Sequence, residues 1–240
     1  MKVELIGTGA MYTKYNSACT LINDELIVDM PNGTIKQLLK KKYIPENIKT
    51  ILITHMHGDH TADIPFFLKY IFNFVKINNE VVIVGPKGIK NKIVQLFEAY
   101  NFENKEEIEA AMKIKYIEIE QDAQIIEIQN YKIQAILVSH GEEKTAYGYI
   151  INYVLSCTGD SGICEGVEKL VKNSKITIAD ASLIEGDECH MGIDNIKYLT
   201  QKYNKKIITT HLRDTTRKVL NKEKNKNILV VEDNYQFNVE

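Results

Sequence analysis

Histidine is concentrated in one short segment of this chain, and its spacing there suits the binding of metal ions. Three of the six histidines stand in the segment His55-Met56-His57-Gly58-Asp59-His60, written H-x-H-x-D-H, directly after an apolar run at residues 48–53. The others are His140, His190 and His211, each near the end of a short apolar run. Imidazole and carboxylate groups are the ligands that Zn²⁺ and related cations use in sites without thiolate. The pattern therefore predicts one metal centre.

The order of these residues predicts two cations held side by side. Because His55 and His57 are two residues apart in a loop that follows a strand, their rings can face the same way and share a cation. We expect the first cation to be held by His55, His57 and His140, and the second by Asp59, His60 and His211. Two adjacent cations repel each other and need an anionic bridge, which Asp160 can provide with a solvent hydroxide because flanking glycines let the backbone approach. Nitrogen-rich ligand sets favour Zn²⁺, with Mn²⁺ or Fe as alternatives.

The composition is that of an ordinary globular protein, with 44% hydrophobic and 26% charged residues and a formal net charge of −2 among 240 residues. No repeat or linker divides the chain, so we expect one domain over residues 1–240. The mixed charges show no basic face of the kind that binds nucleic acid without sequence preference. Four cysteines without CxxC spacing fit a reducing compartment, and no apolar segment resembles a signal peptide or a membrane span. We therefore expect a cytoplasmic protein with no membrane partner.

Apolar periodicity predicts alternating strands and helices. Strands are expected at residues 2–6, 18–22, 26–28, 48–53, 81–84, 114–119, 124–128, 131–138, 146–157, 175–179 and 206–210. Helices are expected at residues 34–41, 61–73, 87–99, 103–113, 164–172, 192–203 and 214–223, before a final β segment. The predicted fold class is α+β, an αββα sandwich of two face-to-face mixed β-sheets with helices on the outer faces. This arrangement would bring strand ends from both sheets, and hence the histidines, to one rim.

The chain resembles a known superfamily along its whole length. The resemblance is carried by Leu5-Ile6-Gly7-Thr8-Gly9-Ala10, by Asp29 with Asn32-Gly33-Thr34 and Gln37-Leu38-Leu39, by the H-x-H-x-D-H segment, and by Ser139-His140, Thr158-Gly159-Asp160 and Thr210-His211. In these elements it is similar to the metallo-β-lactamase fold superfamily, and the N-terminal elements resemble its ribonuclease Z-like branch. The resemblance implies a metallo-β-lactamase fold and a dinuclear metal-dependent hydrolase with two divalent cations per chain. It also implies a homodimer, because the family often dimerises through helices after the histidine motif.

The sixth histidine has two interpretations. In ribonuclease Z-like proteins a Glu-Ala-Thr element and a His-Ser-Thr element occupy this region, and that histidine assists phosphodiester cleavage. Here Asp180-Ala181-Ser182 and His190-Met191-Gly192 match these elements only in part. His190 is therefore either a general acid, oriented by Asp180, or a structural histidine. With Asp59, which would bind one metal and orient the hydroxide, His190 is a candidate catalytic residue.

The segment between the third histidine ligand and the bridging aspartate bears on the substrate. Ribonuclease Z proteins carry a long arm there that grips tRNA, whereas nineteen residues separate His140 from Asp160 in this chain and their pattern predicts a β-hairpin. The missing arm and the mild negative charge favour a phosphodiesterase for a small or cyclic phosphodiester, cleaved through a metal-bridging hydroxide. A cyclic nucleotide, a cyclic phosphate or a short diester would fit. We expect no nucleic-acid partner beyond short or cyclic nucleotides.

Three alternatives stay open at this stage. The same dinuclear site could hydrolyse a carboxylic or sulfuric ester, a lactone or a thioester, since one scaffold hosts many chemistries. A tRNA 3′-processing endonuclease is the second alternative, and a metal-binding sensor without turnover is the third. The aromatic run at residues 66–74 is interpreted as core or as a subunit contact.

Overall fold

Two seven-stranded β-sheets packed face to face form the centre of the fold in a computed structural model, which describes residues 1–42, 45–75 and 80–240. The strands are β1 Lys2–Gly7, β2 Cys19–Ile22, β3 Leu26–Val28, β4 Thr50–Leu52, β5 Val82–Pro86, β6 Lys115–Ile119, β7 Ile125–Ile128, β8 Tyr131–His140, β9 Glu143–Ile151, β10 Leu155–Cys157, β11 Ile176–Asp180, β12 Lys206–Thr210, β13 Ile228–Val230 and β14 Tyr235–Asn238. The first sheet has the order β14-β1-β2-β3-β4-β5-β6 and the second the order β13-β12-β11-β10-β9-β8-β7. Both sheets are mixed: β3 to β6 and β10 to β13 run parallel, and the other pairs are antiparallel.

Helices cover the outer faces of the two sheets. They are α1 Thr34–Lys40, α2 Gly58–Thr61, α3 Ile64–Tyr70, α4 Ile89–Ala99, α5 Lys105–Ala111, α6 Glu165–Lys172, α7 Ile193–Tyr203 and α8 Asp214–Leu220, with a 3₁₀ turn at Pro45–Asn47 and a π-helical turn at Ile71–Val75. Among the described residues, no helix combines the length and the apolar character needed to cross a membrane.

Three buried apolar layers hold the sandwich together. The central layer lies between the sheets and includes Leu52 and Tyr149. One outer layer packs the first sheet against helices through residues such as Phe67, and the other packs the second sheet against helices through residues such as Leu170 and Leu199. Central parallel strands are buried on both faces, which explains why their sequences are continuous apolar runs rather than alternating ones. The predicted αββα sandwich is confirmed.

Two predicted elements are wrong in detail. The strand predicted at 146–157 is two strands, because Asn152 and Tyr153 adopt left-handed backbone conformations, with φ of 52° and 56°, and turn the chain between β9 and β10. The helix predicted at 61–73 is interrupted after Thr61. Pro65 stands in the first turn of α3, where its missing N–H costs no helical hydrogen bond, so a new helix begins there.

Strand ends from both sheets meet at one rim of the sandwich. The H-x-H-x-D-H segment follows β4 of the first sheet, whereas His140, Asp160 and His211 follow or end β8, β10 and β12 of the second. The two sheets are joined beside this rim, because Tyr149 Oη donates a hydrogen bond of 2.6 Å to the carbonyl of Ile53 and the Tyr147 N–H donates one of 2.9 Å to the carbonyl of Thr54. The topology therefore delivers polar side chains from two sheets to one place.

Candidate active site

Three imidazoles converge at the first predicted cation position. The distance from His55 Nε2 to His57 Nδ1 is 3.0 Å, and that from His140 Nε2 to the same His57 atom is 3.3 Å. His55 is fully buried and His140 nearly so, whereas His57 reaches the cavity described below. Three ring nitrogens at these separations match the arrangement in which each offers a lone pair to one shared cation.

Four side chains form the second group beside the first. Asp160 Oδ2 lies 3.3 Å from His60 Nε2 and 3.2 Å from His211 Nε2, and Asp59 Oδ2 lies 3.4 Å from the same His211 atom. Asp160 Oδ2 also lies 3.9 Å from Nε2 of His55 in the first group. Asp160 is therefore placed between the two groups, as expected of a bridging ligand. The described donors fall into His55, His57, His140 and Asp59, His60, Asp160, His211, with a third group, Asp160, Asp180, His190, His211, that overlaps the second.

Partners behind the second group fix the proton positions of its imidazoles. His60 Nδ1 lies 2.8 Å from Oδ2 of Asp29, and a carboxylate can only accept, so Nδ1 carries the proton. Ser182 Oγ donates to the carbonyl of His211 and lies 2.7 Å from His211 Nδ1, so that ring also donates through Nδ1. In both rings the Nε2 lone pair is left facing the group, and such outer partners orient metal-binding histidines in proteins.

The first group is organised in the same way. His140 Nδ1 donates to the carbonyl of Cys189 at 2.8 Å. The Thr54 hydroxyl donates to Asp29 and therefore accepts from His55 Nδ1, which is 3.1 Å away. Asp29 thus supports both groups, one through His60 and the other through Thr54. It adopts a left-handed conformation with φ of 60°, as His211 does with φ of 53°, and non-glycine residues with such strain cluster at functional sites.

Close packing behind Asp160 requires a glycine. Gly159 has φ of 63°, and a Cβ there would lie 2.7 Å from Cβ of Thr54. Any larger residue would push apart the loop that carries Asp160 and the segment that carries His55. The sequence Gly159-Asp160 therefore sets the distance between the contributions of the two sheets.

The second group attracts positive charge. Burial opposes ionisation of Asp160, but the charges of His211 and His60 outweigh it and hold the pKa of Asp160 well below its usual range. Burial likewise opposes protonation of His60, but Asp160 and Asp29 outweigh it and raise the pKa of His60. In the first group burial lowers the pKa of His55, and the nearby His60 lowers it further, which keeps that ring neutral. The carboxylates favour positive charge, whether a proton or a divalent cation supplies it.

The donor set fits the divalent cations that the fold implies. His60 Nε2 is buried and has no partner with hydrogen-bond geometry among the described residues, a costly state for a polar atom unless a ligand is bound to it. Nitrogen and carboxylate donors lie within 4.8 Å of one another in each group. A site of this composition suits divalent metal ions, because its donor atoms already converge.

His190 lies beside the second group and outside the two predicted ligand sets. Its ring stacks on that of His211, with centroids 5.2 Å apart and planes inclined by 14°. Its Nδ1 lies 2.8 Å from Oδ2 of the fully buried Asp180, so Nδ1 donates and Nε2 remains for another partner. Burial lowers the proton affinity of His190, but the hydrogen bond to Asp180 outweighs it and raises its pKa. The contact with Asp180 that the sequence suggested is present.

An open cavity of about 1010 Å³ gives access to these groups. Its described lining comprises Ala10, Met11, Tyr12, Thr13, His57, Asp59, His140, Glu142, Glu143, Asp160, Cys189, His190, His211, Arg213, Asp214 and Thr215. His55 and His60 lie behind this surface, where burial is almost complete. A ligand in the cavity would therefore reach both candidate cation positions and His190.

The structure brings all eight predicted site residues together, and it adds three that sequence reasoning missed. Asp29, Thr54 and Ser182 contact the outer nitrogens of the candidate ligands. Thr54 directly precedes the histidine segment, and Asp29 ends a strand, which was the available signal for both. Ser182 also follows a strand and belongs to the Asp180-Ala181-Ser182 element, but its contact with His211 spans 29 residues and could not be predicted from that element.

Solved structures with the same fold confirm the architecture. The chain is similar to a diphosphatase of the PhnP family, with a TM-score of 0.76, 16% sequence identity, and coverage of 100% of this chain and 98% of that one. It is also similar to the metallo-β-lactamase fold protein YhfI of Bacillus subtilis, with a TM-score of 0.73, 17% identity and coverage of 98% of each chain. At these identities the likeness establishes the fold alone.

Curated relatives are ribonucleases Z. The chain is 27% identical to ribonuclease Z of Pediococcus pentosaceus over 207 residues, which cover 78% of this chain and 64% of that protein. It is 27% identical to ribonuclease Z of Staphylococcus epidermidis over 281 aligned positions, which cover 88% of each. Fold, donor groups and relatives define a metal-dependent hydrolase of the ribonuclease Z-like branch of the metallo-β-lactamase fold.

A family model assigns the chain to a narrower group within this class. The family model described as anti-Pycsar protein Apyc1 matches residues 1–235. The chain belongs to the anti-Pycsar protein Apyc1 family.

Proposed function

We propose that this protein is a phosphodiesterase for a small or cyclic phosphodiester, such as a cyclic nucleotide. The observation that carries the proposal is the position of His190. This ring lines the same cavity as the two donor groups, stands outside both predicted ligand sets, and is held through Nδ1 by Asp180 at 2.8 Å. A histidine so placed can donate a proton to a leaving alkoxide, which is the step that diester cleavage requires.

We assign the cation ligands as the sequence predicted. His55, His57 and His140 would hold one cation, Asp59, His60 and His211 the other, and Asp160 would bridge them. When bound, the cations, which we propose to be Zn²⁺, supply a more acidic water and charge neutralisation for the phosphoryl oxygens.

Side chains of the protein would orient the water, transfer the proton and position the ligand rings. The Asp59 carboxylate, at the cavity surface, would orient the attacking water. His190 Nε2 would transfer a proton to the leaving oxygen, and Asp180 would stabilise the charged ring before the transfer and keep its orientation afterwards. Asp29 and Ser182 would hold the ligand rings in place, since their contacts fix the Nδ1 protons of His60 and His211.

Two observations support a small substrate. Residues 141–159, between the third histidine and the bridging aspartate, contain only a tight turn, β9, a second turn and β10, so this region carries no arm. The described cavity lining includes the carboxylates Glu142, Glu143 and Asp214, with Arg213 as its cationic side chain. Acidic groups at the mouth repel the long phosphate backbone of a polynucleotide more strongly than a single phosphodiester.

The test is a hydrolysis panel with metal-replete protein. Substrates would be bis(p-nitrophenyl) phosphate, 2′,3′-cyclic and 3′,5′-cyclic nucleotides and a precursor tRNA, beside a lactone, a thioester and a sulfate ester. His190→Ala would be assayed in parallel, with metal content measured for both proteins. We expect turnover of small diesters that falls at least about 100-fold in the variant on an alkoxide leaving group, while metal content stays at two per chain.

Three outcomes would each contradict a different part of the proposal. Faster cleavage of the precursor tRNA than of any small diester would overturn the proposed substrate class. A fully metallated protein that hydrolyses no diester but turns over a lactone, thioester or sulfate ester would overturn the phosphodiesterase itself. Unchanged diester turnover in His190→Ala would remove the role of this residue and leave the class intact.

A further inference from the structure

One wall of the cavity is a loop that exposes two large side chains beside the candidate metal centre. This loop, residues 8–16, follows β1, and its tip carries Met11 and Tyr12, both of which line the cavity. Tyr12 is 93% exposed and Met11 46% exposed. Neither side chain contributes to the core, so packing does not account for their position.

The base of the 8–16 loop is fastened by hydrogen bonds to a half-buried carboxylate, that of Asp233. Asp233 accepts hydrogen bonds from the N–H and hydroxyl of Thr8 at 2.9 and 2.8 Å through Oδ1. It accepts two more from the N–H and side-chain amide of Asn16 at 2.8 and 2.9 Å through Oδ2. One side chain thus ties together both ends of the loop, and charge-assisted hydrogen bonds of this kind are strong.

A buried arginine holds the loop from behind. Arg217, 3% exposed, has its guanidinium 3.9 Å from the ring centroid of Tyr15. It also donates to the hydroxyl of Thr8 at 2.7 Å and to the carbonyl of Val231 at 2.6 Å. The planar guanidinium can lie flat on the ring while its edge donates hydrogen bonds, whereas a lysine ammonium has no plane to stack. Arg217 therefore fixes the side of the loop that faces away from the cavity.

The same loop is joined to a candidate cation ligand. The N–H of Ala10 donates to the carbonyl of Leu212, and the N–H of Leu212 donates to the carbonyl of Thr8. Leu212 directly follows His211 in the chain. Backbone hydrogen bonds therefore hold the base of the loop beside the candidate metal centre, and the exposed side chains of Met11 and Tyr12 project from its tip at the cavity.

We propose that Tyr12, with Met11, is the platform on which the planar base of a nucleotide substrate stacks while its phosphodiester lies at the metal centre, and that Arg217 positions this platform. A tyrosine ring has only two χ angles to order on binding a flat ring, a methionine side chain can adapt to its face, and base stacking on aromatic side chains is tolerant of base identity. The inference deepens the proposed function and rests on it for the assignment of the phosphodiester site. It adds the residues that would contact the base of such a substrate.

The test measures binding rather than turnover. Dissociation constants of a nucleoside 5′-monophosphate and of ribose 5-phosphate would be measured by calorimetry with metal-replete protein. The phosphate contribution is common to both ligands. The dissociation constant of ribose 5-phosphate divided by that of the nucleotide therefore measures the contribution of the base. We expect Tyr12→Ala to reduce this ratio roughly 5- to 100-fold, the range for loss of one stacked base, and Tyr12→Phe to retain it. Tyr153→Ala is the matched control, because Tyr153 is an exposed tyrosine in the turn between β9 and β10 and should leave the ratio unchanged.

The positioning role has its own variant. Arg217→Lys keeps the charge but loses the stack on Tyr15, and a folded variant should show a reduced ratio with KM for a cyclic nucleotide raised more than kcat is lowered. If Arg217→Lys does not fold, the Tyr12 variants decide the matter alone. Equal ratios in wild type and Tyr12→Ala would overturn the platform even where diesters are hydrolysed. A Tyr12-dependent ratio in a protein that hydrolyses no diester would support the platform and overturn the proposed function.

Discussion

The imidazole rings of His190 and His211 lie nearly parallel, 5.2 Å apart, although the two residues have different outer partners. His190 donates to Asp180, whereas His211 donates to Ser182. Under the proposed function, the first ring would take part in a carboxylate-supported proton transfer and the second would bind a cation. Two histidines in contact thus receive different proposed tasks from the groups behind them.

Asp180→Asn should impair leaving-group protonation without emptying the metal centre. The amide keeps the shape of Asp180 but cannot stabilise a charged His190, so we expect kcat for a diester with an alkoxide leaving group to fall roughly 10- to 100-fold. A p-nitrophenolate leaving group needs no proton, so its loss should be much smaller. Steady-state kinetics with both kinds of diester measure this contrast. Equal losses on the two substrates would show that Asp180 acts on the structure and not through His190.

Asp29→Asn should weaken cation binding. Asp29 accepts hydrogen bonds from His60 Nδ1 and from the N–H and hydroxyl of Thr54, and the amide cannot accept all of them. We expect metal affinity to fall roughly 10- to 100-fold, measured by competition with a chelator of known affinity. Asp63→Asn is the matched control, since Asp63 is also a buried carboxylate but accepts from the backbone of Ile35 instead. An equal loss in both variants would refute a specific role of Asp29.

The stability of the fold should depend on pH through Asp63. Burial raises the pKa of Asp63, and hydrogen bonds from backbone N–H groups, that of Ile35 first, only partly offset this. A carboxyl group with a raised folded-state pKa contributes stability that is fully present below its unfolded pKa of about 3.9 and is lost as pH rises through the folded value. The asparagine of Asp63→Asn is never charged. The unfolding free energy of this variant should therefore exceed that of wild type by more at pH 7 than at pH 4.

Urea denaturation of metal-free protein at both pH values measures this difference without a change in metal occupancy. Glu127→Gln, at an exposed position of β7, controls for the loss of one negative charge. A gain that is the same at pH 4 and pH 7 would contradict the assignment to ionisation of Asp63.

Tyr149→Phe should lower the free energy of unfolding by removing a hydrogen bond between the two sheets near the site. Tyr149 is fully buried, and its hydroxyl is the donor to the carbonyl of Ile53 at 2.6 Å. Removal of the hydroxyl leaves that carbonyl unsatisfied, which costs about 1–3 kcal/mol of unfolding free energy. Tyr153→Phe, at a residue that is 47% exposed, should change it by less than about 0.5 kcal/mol. Denaturation midpoints of the two variants decide whether this contact joins the sheets.

The fold could be predicted from the sequence because its strands and helices have clear periodicity. Strands β4 and β5 are apolar on both faces, which is typical of central parallel strands, and turn residues mark most boundaries. The predictions that were wrong concern interruptions within one apolar run, at Pro65 and at Asn152. In both places the local backbone, not the hydrophobic pattern, ends the element.

The candidate ligands could be predicted because each stands at the end of a strand and carries a metal-binding side chain. Their assignment as ligands stays a prediction, whereas their convergence is a feature of the structure. The sequence could not predict hydrogen-bond partners that are distant along the chain. Asp29 and His60 are 31 residues apart, and Arg217 contacts Thr8 across 209 residues. Such contacts depend on which strands become neighbours, and periodicity does not encode that.

The donors at the rim come from two sheets, and this has a consequence for the synthesis of the protein. The H-x-H-x-D-H segment leaves the ribosome about 150 residues before His211, and the second sheet must form before Asp160 and His211 reach it. A nascent chain therefore exposes three histidines of the candidate ligand set before the other donors are in place. The complete donor set exists only once both sheets have formed, so a cation bound there would stabilise the folded chain relative to the unfolded one.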